Sequence, residues 1–262
     1  MMSYFNLSEL PFTKEIKTHN MVMLPSVERA LNSTRLLLET RGIGLLTGKS
    51  GSGKSCILRL LKEAVNPALY KIIYICHSSI GLHEFYTHLA TGLGLIPQGR
   101  RATMFRAVKE RIFSLHSSQK VHPVLILDEA HLLSHDILQE LRLLTNFEID
   151  SIDAMTILLC GQESLNHAFG LTMLESLANS ITINIQLTNL PMEETFAYIE
   201  TRIKDCGNSA GVFTKSALTL IHQASGGVFR SIGVITWAAL YKAFLGKSVQ
   251  VEAEHVKAVV ER

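Results

Sequence analysis

Apolar residues fall into two textures along the chain, and the change comes just after Leu187. Before it, short runs rich in Ile, Val and Leu stand between helical patterns: GIGLLTG at 42–48, KIIYIC at 71–76, VLILDE at 124–129, MTILLCG at 155–161 and ITINIQL at 181–187. The first four read as strands buried on both faces, and the fifth alternates as an edge strand does. Five such strands with helices between them predict a doubly wound α/β layer, a five-stranded parallel sheet inside a three-layer αβα core. Ahead of the first strand lies a lead-in with aromatic anchors (Tyr4, Phe5, Phe12), a break at Pro25 and a helix expected from Ser26 to about Thr40. After Leu187 the segments LPMEETFAYIETRIKDCG, FTKSALTLIHQASGG, VFRSIGVITWAALYKAFLG and VEAEHVKAVVER carry helical periodicity and no further strand run. Pro191 in the first helical turn, with Glu193 and Glu194 near the positive end of its dipole, marks the boundary. The expected organisation is an α/β nucleotide-binding domain with its lead-in at 1–189 and a helical lid at 190–262.

Composition narrows the class without choosing a partner. With 47% hydrophobic and 18% charged residues, and no run of the roughly 18 to 20 apolar residues a span needs, the sequence is that of a soluble protein. Its amino terminus has polar and acidic residues where a secretory signal would be basic and then apolar, which implies a cytoplasmic location. Cys56, Cys76, Cys160 and Cys206 are widely separated and read as reduced packing thiols. A net charge of +2 confines any nucleic-acid surface to a local patch or to one repeated by assembly.

The chemistry begins at the end of the first strand. LLTGKSGSGKSCILRLL (45–61) fits GxxxxGK[ST] at Gly48, Gly53, Lys54 and Ser55, with a strand before it and a helix after. Glycines let the backbone from Gly48 through Ser50, Gly51, Ser52 and Gly53 to Cys56 curl so that its amides face a phosphate, and the helix adds its positive end. Lys54 is expected to bridge the β- and γ-phosphates and the Ser55 hydroxyl to ligate Mg²⁺. The third strand supplies the acids: Asp128 for the Mg²⁺ shell and Glu129 to polarise the water that attacks the γ-phosphate.

YFNLSELPFTKEI, TRGIGLLTGKSGSGKS, LILDEAHLL, LQELRLLTNFEIDS, LLCGQESL and ASGGVFRSI occur in that order, and with them the chain resembles the AAA+ ATPases over essentially its full length, in particular the ExeA-type and transposition-helper (TnsC, TniB and MuB type) branch. That resemblance implies that Gln162 is the polar sensor of the γ-phosphate and that Arg230 is the second sensor, reaching the nucleotide from the lid. It also implies a polar residue ending the second strand to restrain the catalytic glutamate; His77 and Ser78 stand there, where an Asn is more usual. One departure stands out. The family commonly has an arginine just before the fifth strand, a finger entering the neighbouring subunit, and this chain has Ser180. Because such a finger is worth about 10³ to 10⁵ in rate, slow hydrolysis is expected unless Arg142 or Arg202 substitutes.

Two further strings are decoys. DEAH at 128–131 spells a helicase motif whose fold needs two motor cores, and HEFYTH at 83–88 sets His83 and His88 about 140° apart around a helix, off the one face that zinc requires. For nucleic acid the strongest local signal is PQGRRATMFRAVKER, with Arg100, Arg101, Arg106, Lys109 and Arg111; of these Arg100, Arg101 and Lys109 are the candidate contacts, to phosphates and so independent of base sequence. The resemblance then implies an ATP-dependent regulator of DNA transposition, a homo-oligomeric ring or filament on duplex DNA that links the target to a transposase and, in some systems, a target-selection adaptor. An ExeA-type secretion-assembly ATPase is the alternative, expected to continue into a membrane span that a chain ending after the lid lacks. A third reading is an ATP-gated scaffold with a vestigial Glu129.

Overall fold

The structure, a computed structural model, describes residues 1–76, 80–208 and 211–261. It divides into two compact units, one of Ala30–Ser50 with Ile57–Leu187 and the other of Met1–Arg29 with Gly51–Cys56 and Thr188–Arg262.

The first unit contains the sheet. Strands β1 (Gly42–Gly48), β2 (Tyr70–Ile75), β3 (His122–Leu127), β4 (Thr156–Gly161) and β5 (Ile181–Leu187) pair in parallel in the order β2-β3-β4-β1-β5. Every residue of β3 and β4 is buried, which is why both strands are continuous apolar runs, while β5 at the edge alternates as expected. Leu125, Leu127, Ile157 and Leu159 pack into one core cluster with Phe85, Leu89, Ile112 and Leu141. The intervening Val124, Ile126 and Leu158 are buried as well, so both faces of the sheet are covered. Helices α3 (Leu82–Leu93), α4 (Arg101–Ser117) and α5 (His135–Thr145) belong here, as do the short α6 (Ser164–Ala168) and α7 (Glu175–Ala178). So do the greater parts of α1 (Pro25–Thr40) and α2 (Lys54–Ala64). Pro25 opens α1 rather than breaking the chain before it, because a first helical residue needs no N–H.

In the second unit, α8 (Met192–Asp205), α9 (Lys215–Ser225), α10 (Phe229–Leu245) and α11 (Ala253–Val260) close a core around Ile199, Ile203, Ile221, Ile232, Leu240 and Val256. Phe5, Leu7 and Leu24 from the lead-in complete that core. Residues 1–29 therefore belong with the helices, not with the α/β domain to which the sequence assigns them, because four short helices leave an apolar face that these anchors fill. Arg202 fastens the same join. It is 1% exposed, its Nε donates to the Pro11 carbonyl (2.9 Å) and Nη1 to that of Asn20 (3.1 Å), and Asp205 stands 3.6 Å away. An arginine so committed is an internal clamp, which corrects the expectation of a trans-acting finger at Arg202.

Candidate nucleotide-binding site

Past Gly48 the chain turns through Gly51 (φ +79°) and Gly53 (φ +99°), backbone positions that side chains strain, before α2 begins at Lys54. Lys54 is 8% exposed and Ser52 5%. The Ser52 hydroxyl is buried with no hydrogen-bond partner among the described residues, a deficit of about 1 to 3 kcal/mol for a group of this kind. Ser50, Ser55 and Cys56 are exposed along the same turn. This loop therefore brings a buried hydroxyl, a buried lysine and a glycine-turned backbone together, and it fits the ligand its sequence predicts. Arg230 rests directly on it: the Arg230 amide donates to the Gly51 carbonyl (3.3 Å), and a Cβ added at Gly51 would come within 2.7 Å of the Arg230 Cβ. Behind it the Phe229 ring lies against Gly53, with Tyr198 edge-on to Phe229 at 5.1 Å and Phe12 5.9 Å from Tyr198. Burial pushes the Tyr198 phenol up to about 12.

The acid pair lies in the sheet unit. Leu127 and Leu45 both sit level with Leu159 of β4, and the Asp128 amide still donates to the Ile75 carbonyl (2.9 Å), so Asp128 leaves the strand at the end of the sheet where β1 is about to release its loop. Asp128 is 6% exposed and both its oxygens are held, Oδ2 by the Tyr74 hydroxyl (2.7 Å) and Oδ1 by the Glu129 amide (2.9 Å). Burial and the bond to Asp128 raise the Tyr74 phenol well above its ordinary range. Glu129 has a left-handed backbone (φ 53°), a conformation that costs a non-glycine residue about 1 kcal/mol. Its carboxylate, 45% exposed, stands 3.5 Å from His131 Nδ1, and the amide of Gln162, one residue past β4, donates to that same nitrogen (3.4 Å). Tyr74 and His131 are the neighbours the sequence did not disclose. Tyr74 is one position in an apolar strand, and His131 closes the DEAH string that reads as a decoy. His77 and Ser78 lie outside the described residues.

The remaining candidates separate cleanly. Arg142 and Ser180 line one open cavity of about 620 Å³ together with Thr172, Met173, Glu175 and Asn179. The Arg142 guanidinium grips Asp150 with both terminal nitrogens, one at 3.0 Å, and this carboxylate raises the arginine's pKa. Lys109 differs from its expected role. Its ammonium lies 4.2 Å from the Phe147 ring centroid and donates to the carbonyls of Leu143 (3.2 Å) and Asn146 at the end of α5, and burial lowers its pKa. Two of its three N–H groups are thus engaged at that helix end, which weakens its case as a contact to DNA. Arg111 is likewise turned to the Leu93 carbonyl (3.4 Å). Arg100, Arg101 and Arg106 are exposed, with Glu140 4.0 Å from Arg101.

A family model described as AAA domain matches residues 35–169. General secretion pathway protein A of Aeromonas hydrophila is 30% identical over 245 residues, 92% of this chain, and the chain spans 44% of the length of that curated relative. Among solved structures, Cdc6p from Pyrobaculum aerophilum superposes with a TM-score of 0.69 at 19% identity, covering 99% of this chain and 71% of that one. The Aeropyrum pernix Orc1 protein in complex with DNA gives 0.64 at 17% (92% and 66%). The Thermotoga maritima RuvB Holliday junction branch migration motor gives 0.56 at 17% (90% and 66%). These likenesses share the fold of a parallel sheet flanked by helices.

Proposed function

The chain belongs to the AAA domain family and is an AAA-type P-loop ATPase, and on that premise we propose that it is an ATP-gated regulator of DNA transposition, which assembles on duplex DNA and presents it to a transposase. The observation that carries the ATP-gated part is the curled loop whose Ser52 oxygen is buried without a partner among the described residues. In this reading the amides of Gly51 to Ser55 and the Lys54 ammonium hold the triphosphate. Ser55 and Asp128 would hold Mg²⁺, which when bound neutralises charge building between the β- and γ-phosphates. Tyr74 keeps the Asp128 carboxylate aimed. Glu129, turned off the strand line by its left-handed backbone, takes the proton of the attacking water. Arg230, seated on Gly51, transmits the state of the loop to α10.

Two features favour slow turnover and DNA. Ser180 leaves the fifth strand without its finger, and Arg142, beside it in the same cavity, is the substitute we assign. Arg100 and Arg101 crown the amino end of α4, which has no acidic residue in its first turn, so arginine charge and helix dipole attract phosphate together. The relative from a secretion pathway, 30% identical across 92% of this chain, favours a second reading as a secretion-assembly motor.

Sedimentation with duplex DNA, a non-hydrolysable ATP analogue and Mg²⁺ at low salt decides between them. Co-sedimentation that needs the analogue and weakens in Arg100→Glu/Arg101→Glu is expected; absence of DNA binding under these conditions removes the transposition reading. In assembled samples Arg142→Ala is expected to slow hydrolysis by about tenfold or more, and parental turnover would strip Arg142 of its role.

A further inference from the structure

We propose that His131 is a positioning residue for the hydrolytic glutamate, a latch whose one inward nitrogen serves either Glu129 or the end of β4. This rests on the reading of Glu129 as the base. The imidazole follows directly on the left-handed turn at Glu129, in a short 3-10 turn over Ala130–Leu132, and its side chain is 10% exposed. Nδ1 faces two partners at once, Glu129 Oε2 at 3.5 Å and the Gln162 amide nitrogen at 3.4 Å.

Those partners demand opposite things. A carboxylate oxygen needs a proton on Nδ1, whereas an amide N–H needs a bare lone pair there, and a neutral imidazole offers one or the other at a given nitrogen. Both separations exceed the roughly 2.7 to 3.2 Å of a well-made bond, so the ring stands between two states and neither bond is complete. Moving the ring proton between its two nitrogens exchanges them without a change of charge: the Nδ1–H form draws in Glu129, and the Nε2–H form releases it and takes the Gln162 amide. The position of Gln162 is thereby linked to the freedom of the Glu129 carboxylate. Gly161 provides the seat, since a Cβ there would stand 3.2 Å from the His131 amide nitrogen and 3.4 Å from Nδ1.

The test uses side-chain length. Asparagine sets an amide near the position of Nδ1, and glutamine sets one near Nε2. His131→Asn is expected to keep kcat within about threefold of the parent, and His131→Gln and His131→Leu to lose about ten- to a hundredfold with nucleotide Kd unchanged, as displacement of a reacting group does. Gly161→Ala, which alters no functional group, should lower kcat in the same way. Each loss should vanish in a Glu129→Gln background. Equal rates for the Asn and Gln variants, a loss that persists beside Glu129→Gln, or parental turnover in His131→Leu would each overturn the latch. Parental turnover in Glu129→Gln alone would overturn the reading of the base and the latch with it, whereas a slow Glu129→Gln beside a parental His131→Leu would overturn the latch alone.

Discussion

Arg202 and Lys54 are both cations drawn inside the protein from helices, yet their surroundings use polar capacity in opposite ways. Around Arg202 the donors end on the chain's own carbonyls, at Pro11 and Asn20, and the lead-in is fixed to the helical core as a result. Around Lys54 the loop keeps glycines in left-handed conformations and leaves the Ser52 hydroxyl buried with no partner among the described residues. Folding alone accounts for the first arrangement. The second leaves the Ser52 hydroxyl for something from outside to bond, which is how a binding site differs from a joint built at equal depth.

Arg202→Ala is the most severe way to press this contrast. It removes the donors to two backbone carbonyls and the packing of a fully buried side chain, a loss of about 3 kcal/mol or more. Denaturant unfolding should show that loss, and limited proteolysis should cut first within residues 1–24, while the folded fraction still binds nucleotide. Unchanged stability would mean that the lead-in is held by Phe5, Leu7 and Leu24 without the clamp.

A second orphan tests whether a lone unpartnered atom marks a ligand site. His122 opens β3 at the far end of the sheet from the acids; its ring bonds Thr156 Oγ1 (2.8 Å) through Nε2, and Nδ1 is buried without a partner among the described residues. Burial, with Arg41 and His116 nearby, lowers its pKa to about 4. Between pH 6.5 and 4 the unfolded chain thus binds a proton that the folded chain refuses, so stability falls as pH drops through that window and is level above it. The expected loss is on the order of 2 to 3 kcal/mol by pH 4, absent in His122→Asn and insensitive to ATP. Nucleotide rescue of the acid loss would place a ligand at this end as well.

The sheet was legible because burial on two faces writes itself as uninterrupted Ile, Val and Leu, and β5 showed its edge by alternating. The phosphate loop was legible because a backbone that must turn to positive φ selects glycine at fixed intervals. What the sequence hid was long-range pairing. Nothing in an isolated Arg202 distinguishes a clamp 191 residues from Pro11 from a surface finger. Lys109 looked like part of a basic face until α5 brought two carbonyls and the Phe147 ring to it. Tyr74 and His131 gained their importance from strands and turns distant in sequence, and the lead-in changed domains because its apolar anchors are too sparse to declare their partner.

Ser52→Ala carries the smallest effect and the sharpest form of the contrast, because its two consequences have opposite signs. Removing a buried hydroxyl that finds no partner among the described residues should leave stability unchanged or raise it by up to about 1 kcal/mol, where most polar-to-alanine changes in a folded interior lower it. With ATP and Mg²⁺ present the same change deletes a donor to the phosphates, and affinity should weaken by about tenfold in calorimetry, the equivalent of one hydrogen bond to a charged group. The stabilisation that nucleotide confers on thermal unfolding should shrink in step, since ligand binding to the folded state alone sets its size. A variant that loses stability without ligand would mean that the hydroxyl already serves the fold, and Ser52 would then belong with Arg202 rather than with Lys54.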